Sequence, residues 1–389
     1  MNKKRSNTVV ILGTGATIGS GYTRCGQRLP GDRGFFGNPM VQKRLGDYPA
    51  LDIMLDLFHK VRGSDLASVG LEEVWTFLEF CSNGPYKDSY DLNNEKQEWL
   101  KRIRTSKRND EHCRCGKFRA DGRISPDLGS IDMSLLAGWD LRCLVSETYR
   151  GIESPGVLTN YQKLMDTYGI PQAEPTAFIS LNYDTVLEQA LAGFTSNPYP
   201  WFYPHIDTPE HRDSKGVQVL KPHGSLNWRQ TGNIPAVSIS TDYSLQPVSN
   251  VSTDDNIFEQ VAIIPPTQLK GALNIPETQA ALTTHLFGKI WKSVADALVD
   301  ADRVFIIGYS FPSTDHHFQT LLRLLNAKRK WKKYEEVYCC TRADAGQEGL
   351  VFANANRFFP ADTENFHQHD RGFENFVSAS EIEKGVSRP

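Results

Sequence analysis

The run Thr8-Val9-Val10-Ile11-Leu12-Gly13-Thr14-Gly15-Ala16-Thr17-Ile18-Gly19-Ser20-Gly21 opens on apolar and β-branched residues and turns at once to glycine. A continuous apolar run without alternation reads as a strand buried on both faces, the pattern of a parallel sheet. Three later stretches repeat the arrangement. Residues 177–181 run into Asn182-Tyr183-Asp184, 217–220 into Lys221-Pro222-His223-Gly224-Ser225, and 303–307 into Gly308-Tyr309-Ser310. Each places small and polar residues where a buried strand meets a loop, and that end of an α/β sheet is where ligands bind. Helical patterns over 184–191, 285–299 and 315–327 alternate with these strands and with a further one at 336–340. Such alternation implies parallel pairing with helices on both faces of the sheet.

Working outward, residues 40–167 contain no convincing β-run. Leu51, Met54, Leu55, Phe58 and Val61 share one helical face, and Leu71, Val74, Trp75, Leu78 and Cys81 share another. We read a mostly helical insertion over 40–167 between the two parts of one core, 1–39 and 168–345. Residues 346–389 read as a polar tail packed on the core through Phe358, Phe359, Phe366, Phe373 and Phe376. The Arg-bearing stretch 110–128 reads as an exposed loop.

The 389-residue chain has a formal net charge of -3, with acids and bases mixed, which gives no electrostatic case for nucleic-acid binding. The basic stretches 101–108 and 328–333 read as solvated helix faces. Seven unevenly spread cysteines do not form a secreted disulfide framework and suit a reducing cytoplasm. No apolar run approaches membrane-spanning length, so no membrane partner is expected.

The glycine turn Gly13-Thr14-Gly15-Ala16-Thr17 approximates the dinucleotide fingerprint G-x-G-x-x-G, with Gly19 one residue late. Its logic is a tight turn that lets backbone N–H groups approach a pyrophosphate, although such a turn can also serve only to join strand to helix. The ribose-binding acid of the fingerprint is matched only loosely by Asp32. Asn182-Tyr183-Asp184 by itself reads as a helix cap, with Asp184 holding the N-terminus. His223 can accept a proton near neutral pH, and Gly224 beside it leaves room for a sugar. Asp315 reads as the N-cap of the helix that follows.

Together the four segments resemble the SIR2-like family, the sirtuin-related NAD-consuming proteins. That resemblance implies a Rossmann-like α/β core with NAD as substrate. Gly13, Gly15, Ala16 and Thr17 correspond to the cofactor turn. Residues 29–36 resemble the loop that covers the cofactor, with Arg33 toward a phosphate and Phe35 shielding the nicotinamide ribosyl bond. Asn182 and Asp184 match the Gln-Asn-Ile-Asp type sequence that contacts the nicotinamide ribose and carboxamide, whereas Leu181 and Tyr183 depart from the deacylase pattern. His223 matches the family's His-Gly base. Gly308, Tyr309 and Ser310 resemble the Gly-x-Ser that holds the adenosine-side ribose and phosphates. Pro265-Pro266-Thr267 and Lys270 recur as a structural turn, and Trp228 as packing.

Deacylase sirtuins carry a zinc held by two Cys-x-x-Cys pairs, but the close pair here is Cys113-x-Cys115 beside His112, so no metal is expected. The resemblance therefore implies an NAD glycohydrolase with catalytic Asn182 and His223. Its alternatives are an NAD-dependent protein deacylase and a non-catalytic NAD- or ADP-ribose-binding regulatory subunit. The same subgroup resembles bacterial antiphage effectors. That implies a homo-oligomer and a separately encoded partner such as a HerA-type ATPase or an Argonaute-like protein.

Overall fold

The computed structural model describes residues 7–32, 34–63, 65–83, 92–105, 133–149, 152–153, 159–170, 176–192, 201–206, 217–230, 237–239, 260–263, 286–312, 315–330, 332–342 and 348–383. Its strands are β1 (Thr8–Leu12), β2 (Thr23–Arg24), β3 (Gln27–Arg28), β4 (Thr176–Ser180), β5 (Trp201–Phe202), β6 (Val217–Leu220), β7 (Gly224–Gln230), β8 (Val237–Ile239), β9 (Gln260–Ile263), β10 (Arg303–Ile307), β11 (Glu336–Cys340) and β12 (Phe366–His369). Its helices are α1 (Thr14–Ile18), α2 (Pro39–Leu45), α3 (Pro49–Arg62), α4 (Leu71–Asn83), α5 (Asn93–Thr105), α6 (Met133–Thr148), α7 (Asn160–Tyr168), α8 (Val186–Ala192), α9 (Gly288–Asp300), α10 (His316–Lys328), α11 (Glu348–Phe358) and α12 (Gly372–Glu383).

The apolar runs form a Rossmann-like seven-stranded sheet, in the order β12-β11-β10-β1-β4-β6-β5. Every pairing in it is parallel. β1 lies between β4 and β10, with Leu12 in register with both Ser180 and Ile307. Because successive side chains on a strand point to opposite faces, the sheet sorts its apolar residues into two cores. Val10, Leu12, Phe178, Phe305 and Ile307 meet α7, α8 and α12 on one face. Val9, Ile11, Ile179, Val304 and Ile306 meet α9, α10 and α11 on the other. Each fully buried Leu, Ile or Phe contributes about 1.5–3 kcal/mol, so the two layers bind the sheet from both sides.

A third core joins α2 to α6. Leu51, Met54, Leu55 and Phe58 are buried in it as the spacing predicts, but Val61, in the last turn of α3, is 63% exposed. The start of α3 is held by Asp140, whose Oδ2 accepts from the backbone N–H groups of Ala50 and Leu51. Burial pushes the Asp140 carboxyl up to about 7. α7 belongs with the sheet rather than with this layer, since Tyr161, Leu164 and Met165 sit in the first core. Residues 160–167, expected within the helical insertion, thus pack with the core.

Three other features differ from the sequence reading. The C-terminal segment is more than a packed tail, because β12 pairs in parallel with β11 and α11 and α12 cover the sheet. β12 reads Phe-His-Gln-His, a polar edge strand with no alternation to reveal it. Gly224 and Ser225, expected where a strand meets a loop, begin β7, the middle strand of an antiparallel sheet of order β8-β7-β9, while Trp228 packs in the first core as expected. Arg329, expected on a solvated face, is 9% exposed. Its guanidinium donates to the carbonyls of Leu298, Val299 and Ala301 at the end of α9, where a cation offsets the helix's negative pole. Among the described residues no helix is long and apolar enough to cross a membrane.

Candidate active site

The chain leaves β1 for β4 on one side and comes back to β10 on the other, so crossovers diverge at the carboxyl ends of these central strands. A crevice opens at such a switch point. The loops after β1, β4, β6 and β10 all meet there.

The first contact is between glycines. Gly13 N–H donates to Ile307 O at 3.0 Å and Gly15 N–H to Gly308 O at 3.0 Å, while Ala16 N–H turns back to Gly13 O at 2.9 Å. A Cβ at Gly308 would lie 2.2 Å from Ala16 N and 2.3 Å from Gly15 C, and its φ of +63° independently favours glycine. The glycines thus allow two strand ends to touch, backbone to backbone. This differs from the fingerprint's logic, because the N–H groups of Gly13, Gly15 and Ala16 are committed inside the protein.

Asn182 fastens this turn to the end of β4. Its Nδ2 donates to Gly13 O at 2.8 Å and to Thr17 Oγ1 at 2.9 Å, leaving Oδ1 as the acceptor end of the amide. Thr17 Oγ1 donates in turn to Asp184 Oδ2 at 2.7 Å, and Asp184 Oδ1 accepts from Val186 N–H at 3.0 Å. The cap expected of Asp184 is present, and the same carboxylate reaches the glycine turn. Burial raises the Asp184 carboxyl above its ordinary range, against the lowering influence of Lys221 and of these hydrogen bonds.

Beneath it lies a group the sequence reading passed over. Lys221 and Glu188 are both 0% exposed, with Lys221 Nζ 2.9 Å from Glu188 Oε1. Nζ also donates to the carbonyls of Asp184 and Tyr183. Tyr203 donates to the same Glu188 oxygen at 2.5 Å. A lysine directly after the buried run Val217–Leu220 was the available signal, since a buried lysine requires a partner.

His223, 5% exposed, comes two residues after Lys221. Its Nδ1 lies 3.3 Å from Leu181 O, and a carbonyl only accepts, so Nδ1 donates and Nε2 carries the lone pair of the neutral ring. The ring sits between Tyr183 (centroids 6.4 Å) and Trp291 (6.0 Å). Tyr183 also meets Trp75 of α4 at 6.4 Å, which ties the helical layer to the site.

After β10, Tyr309 donates to Asp315 Oδ2 at 2.9 Å and Ser310 is exposed at the rim. Burial and the Asp315 carboxylate hold the Tyr309 phenol well above its usual range, so it stays a donor. Asp315 caps α10 as expected, accepting from Phe318 N–H. It also faces His223, with Oδ1 4.0 Å from Nε2.

The structure therefore brings together Gly13, Gly15, Ala16, Thr17, Asn182, Asp184, His223, Gly308 and Tyr309, with Ser310 at their edge. Phe35 stands apart, fully buried in the helical core edge-on to Phe36 at 5.2 Å. Asp32 serves the same layer, its Oδ1 accepting from Glu72 N–H at the start of α4. Arg33, residues 110–128 with His112, Cys113 and Cys115, and the turn 265–270 lie outside the described residues.

Residues 176–356 match the SIR2-like domain. The SIR2-like match thus spans the loops carrying Asn182, His223 and Gly308 to Ser310. It begins at β4, so the glycine turn joins the segment through the contacts just described. Among solved structures the chain is similar to a Sir2 histidine-to-alanine variant recorded with a deacetylated p53 peptide and 3′-O-acetyl ADP-ribose. The identity is 14%, over 59% of this chain and 68% of that one, with a TM-score of 0.29. No curated protein sequence matches the chain.

Proposed function

We propose that the chain binds NAD in the crevice between β1, β4 and β10 and hydrolyses its nicotinamide-ribosyl bond. The observation that carries this reading is the meeting of the glycine turn, Asn182, His223 and Gly308-Tyr309-Ser310 at one switch point, three of them within a SIR2-like match. The groups suit the chemistry. Nicotinamide leaves as a neutral ring when the electron pair of the C–N bond returns to its nitrogen, so no proton donor is needed. What remains is to direct water at an oxocarbenium-like carbon, by analogy with glycoside hydrolysis.

His223 Nε2 takes the proton of that water as its oxygen bonds to the ribosyl carbon, giving ADP-ribose. Asn182 Oδ1 accepts from the water or from a ribose hydroxyl, since its NH2 is held by Gly13 and Thr17. Through the family resemblance, the phosphate contacts of this proposal are assigned to the exposed Ser310 and to Arg33. A role in antiphage defence, under control of an assembled partner, belongs to the same proposal through the family resemblance alone.

The test is nicotinamide release by the purified chain, alone and with a neighbouring gene product, from NAD with and without an acetyl-lysine peptide. Release without peptide supports hydrolysis. Turnover that depends wholly on the peptide would instead assign a deacylase, and NAD binding without turnover under every condition would assign a regulatory subunit.

A further inference from the structure

Asp315 has more than a cap requires. An N-cap needs one oxygen turned to the first N–H groups of its helix, and Asn or Ser supplies it as well as Asp does. Here one carboxylate oxygen accepts from Phe318 N–H at 3.4 Å, while the other is fixed by the Tyr309 hydroxyl at 2.9 Å. The side chain is 6% exposed, and its charge faces the imidazole of His223, itself 7% exposed, across 4.0 Å.

The direction of that approach matters. With Nδ1 turned to Leu181 O, the nitrogen facing Asp315 is Nε2, which carries the lone pair of the neutral ring. A proton gained there lies next to a fixed negative charge. A hydroxyl or water within hydrogen-bond reach of both Nε2 and Oδ1 also fits a 4.0 Å separation. Tyr309 cannot neutralise the carboxylate, because its phenol is held protonated.

We infer that Asp315 is the positioning residue of His223, which holds the ring with Nε2 toward its carboxylate and stabilises the imidazolium formed when Nε2 accepts a proton. This deepens the proposed hydrolysis and rests on the reading of His223 as its base. Other groups near the ring are the Tyr183 phenol and the Trp291 indole. Glu72, Asp32 and Arg142 act on Tyr183, and Glu72 also acts on Tyr309. None of these charges changes in an Asp315→Asn variant, which also keeps a capping oxygen.

The experiment follows the ring signals of the full chain, labelled at its 10 histidines, by NMR across pH, with His223→Ala identifying the signal of interest. Loss of an opposing charge at this range lowers an imidazole midpoint by about 1–2 pH units, so Asp315→Asn is expected to move His223 down by that amount. Asp315→Glu, which restores the charge, is expected to return part of the shift, and Asp315→Ser, a second capping variant, is expected to behave as Asn does. An unchanged His223 midpoint in either folded neutral variant overturns the proposal. The titration needs no NAD, so it decides the pairing even if the chain proves not to hydrolyse NAD. If turnover is present, its acidic limb is expected to shift in parallel, with kcat reduced more than KM is altered.

Discussion

Replacing Lys221 by Met removes one half of an ion pair from which water is excluded on both sides. Lys221 and Glu188 are each 0% exposed, so Glu188 would be left as a buried carboxylate without its counter-charge, held among the described residues only by the Tyr203 hydroxyl. Breaking such a pair from one side costs about 3–5 kcal/mol, whereas exchanging both partners for apolar side chains is often neutral. The structure places this site at the upper part of that range. Lys221 also donates to the carbonyls of Tyr183 and Asp184, and Glu188 Oε2 already has no hydrogen-bond partner among the described residues. Lys221→Met is therefore expected to lower stability by about 4 kcal/mol, and Lys221→Met with Glu188→Met to recover most of the loss. Tyr203, deprived of Glu188, keeps Asn227 Oδ1 as acceptor. Urea midpoints at constant slope, read by circular dichroism for the three proteins, provide the cycle. A loss below about 1 kcal/mol in the single variant would refute the reasoning, as would a double variant no more stable than the single.

Gly308→Ala is expected to destabilise the chain by more than about 3 kcal/mol or to prevent folding, because its Cβ would lie 2.2 Å from backbone. Gly26→Ala, also at positive φ but with nothing within 4 Å, is expected to cost only about 1 kcal/mol, and equal midpoints for the two variants would disprove the close-approach argument. Burial pushes the Asp140 carboxyl from its ordinary 3.8 up to about 7, so its contribution to stability is full below 3.8 and lost as pH rises toward 7. Relative to Asp140→Asn, the native chain is expected to lose about 1.4 kcal/mol per pH unit within that window, and parallel pH profiles for the two would count against it. His223→Ala is expected to reduce NAD turnover about 10²–10⁴-fold in a chain that still folds, with a somewhat lower urea midpoint because the buried ring packs on Tyr183 and Trp291 and donates to Leu181 O. Asn182→Ala is expected to reduce turnover and to lower the midpoint too, since its amide holds Gly13 and Thr17.

Much of the sheet is legible because its strands are buried on both faces. Residues 9–12, 177–179 and 304–307 are apolar without interruption. β12 is hidden for the converse reason, as an edge strand whose hydrogen bonds come from β11 and whose side chains are polar. Residues at strand ends can be picked out singly, since glycine, Asn and His after a buried run are unusual there. What periodicity cannot supply is which of them touch. The 4.0 Å approach of Asp315 to His223 and the burial of Lys221 on Glu188 join residues far apart in the chain. Phe35 shows the opposite failure, because a residue read by position in a cofactor loop is claimed by the helical core instead.

The placement of β1 has a consequence for synthesis. The strand is made before both of its partners, since those on its two edges are residues 176–180 and 303–307. At about 5–20 residues per second, Val9, Val10, Ile11 and Leu12 remain without their second edge for on the order of 15–60 s. Both edges of this short apolar strand are open to other chains until residues 176–180 emerge, and one edge stays open until residues 303–307 follow. The glycine turn behind it cannot take shape either, because it is moulded on Gly308. Nascent chains stopped before residue 303 should therefore recruit holding chaperones and resist only weakly attack by protease, while chains released past residue 369 should lose both behaviours together.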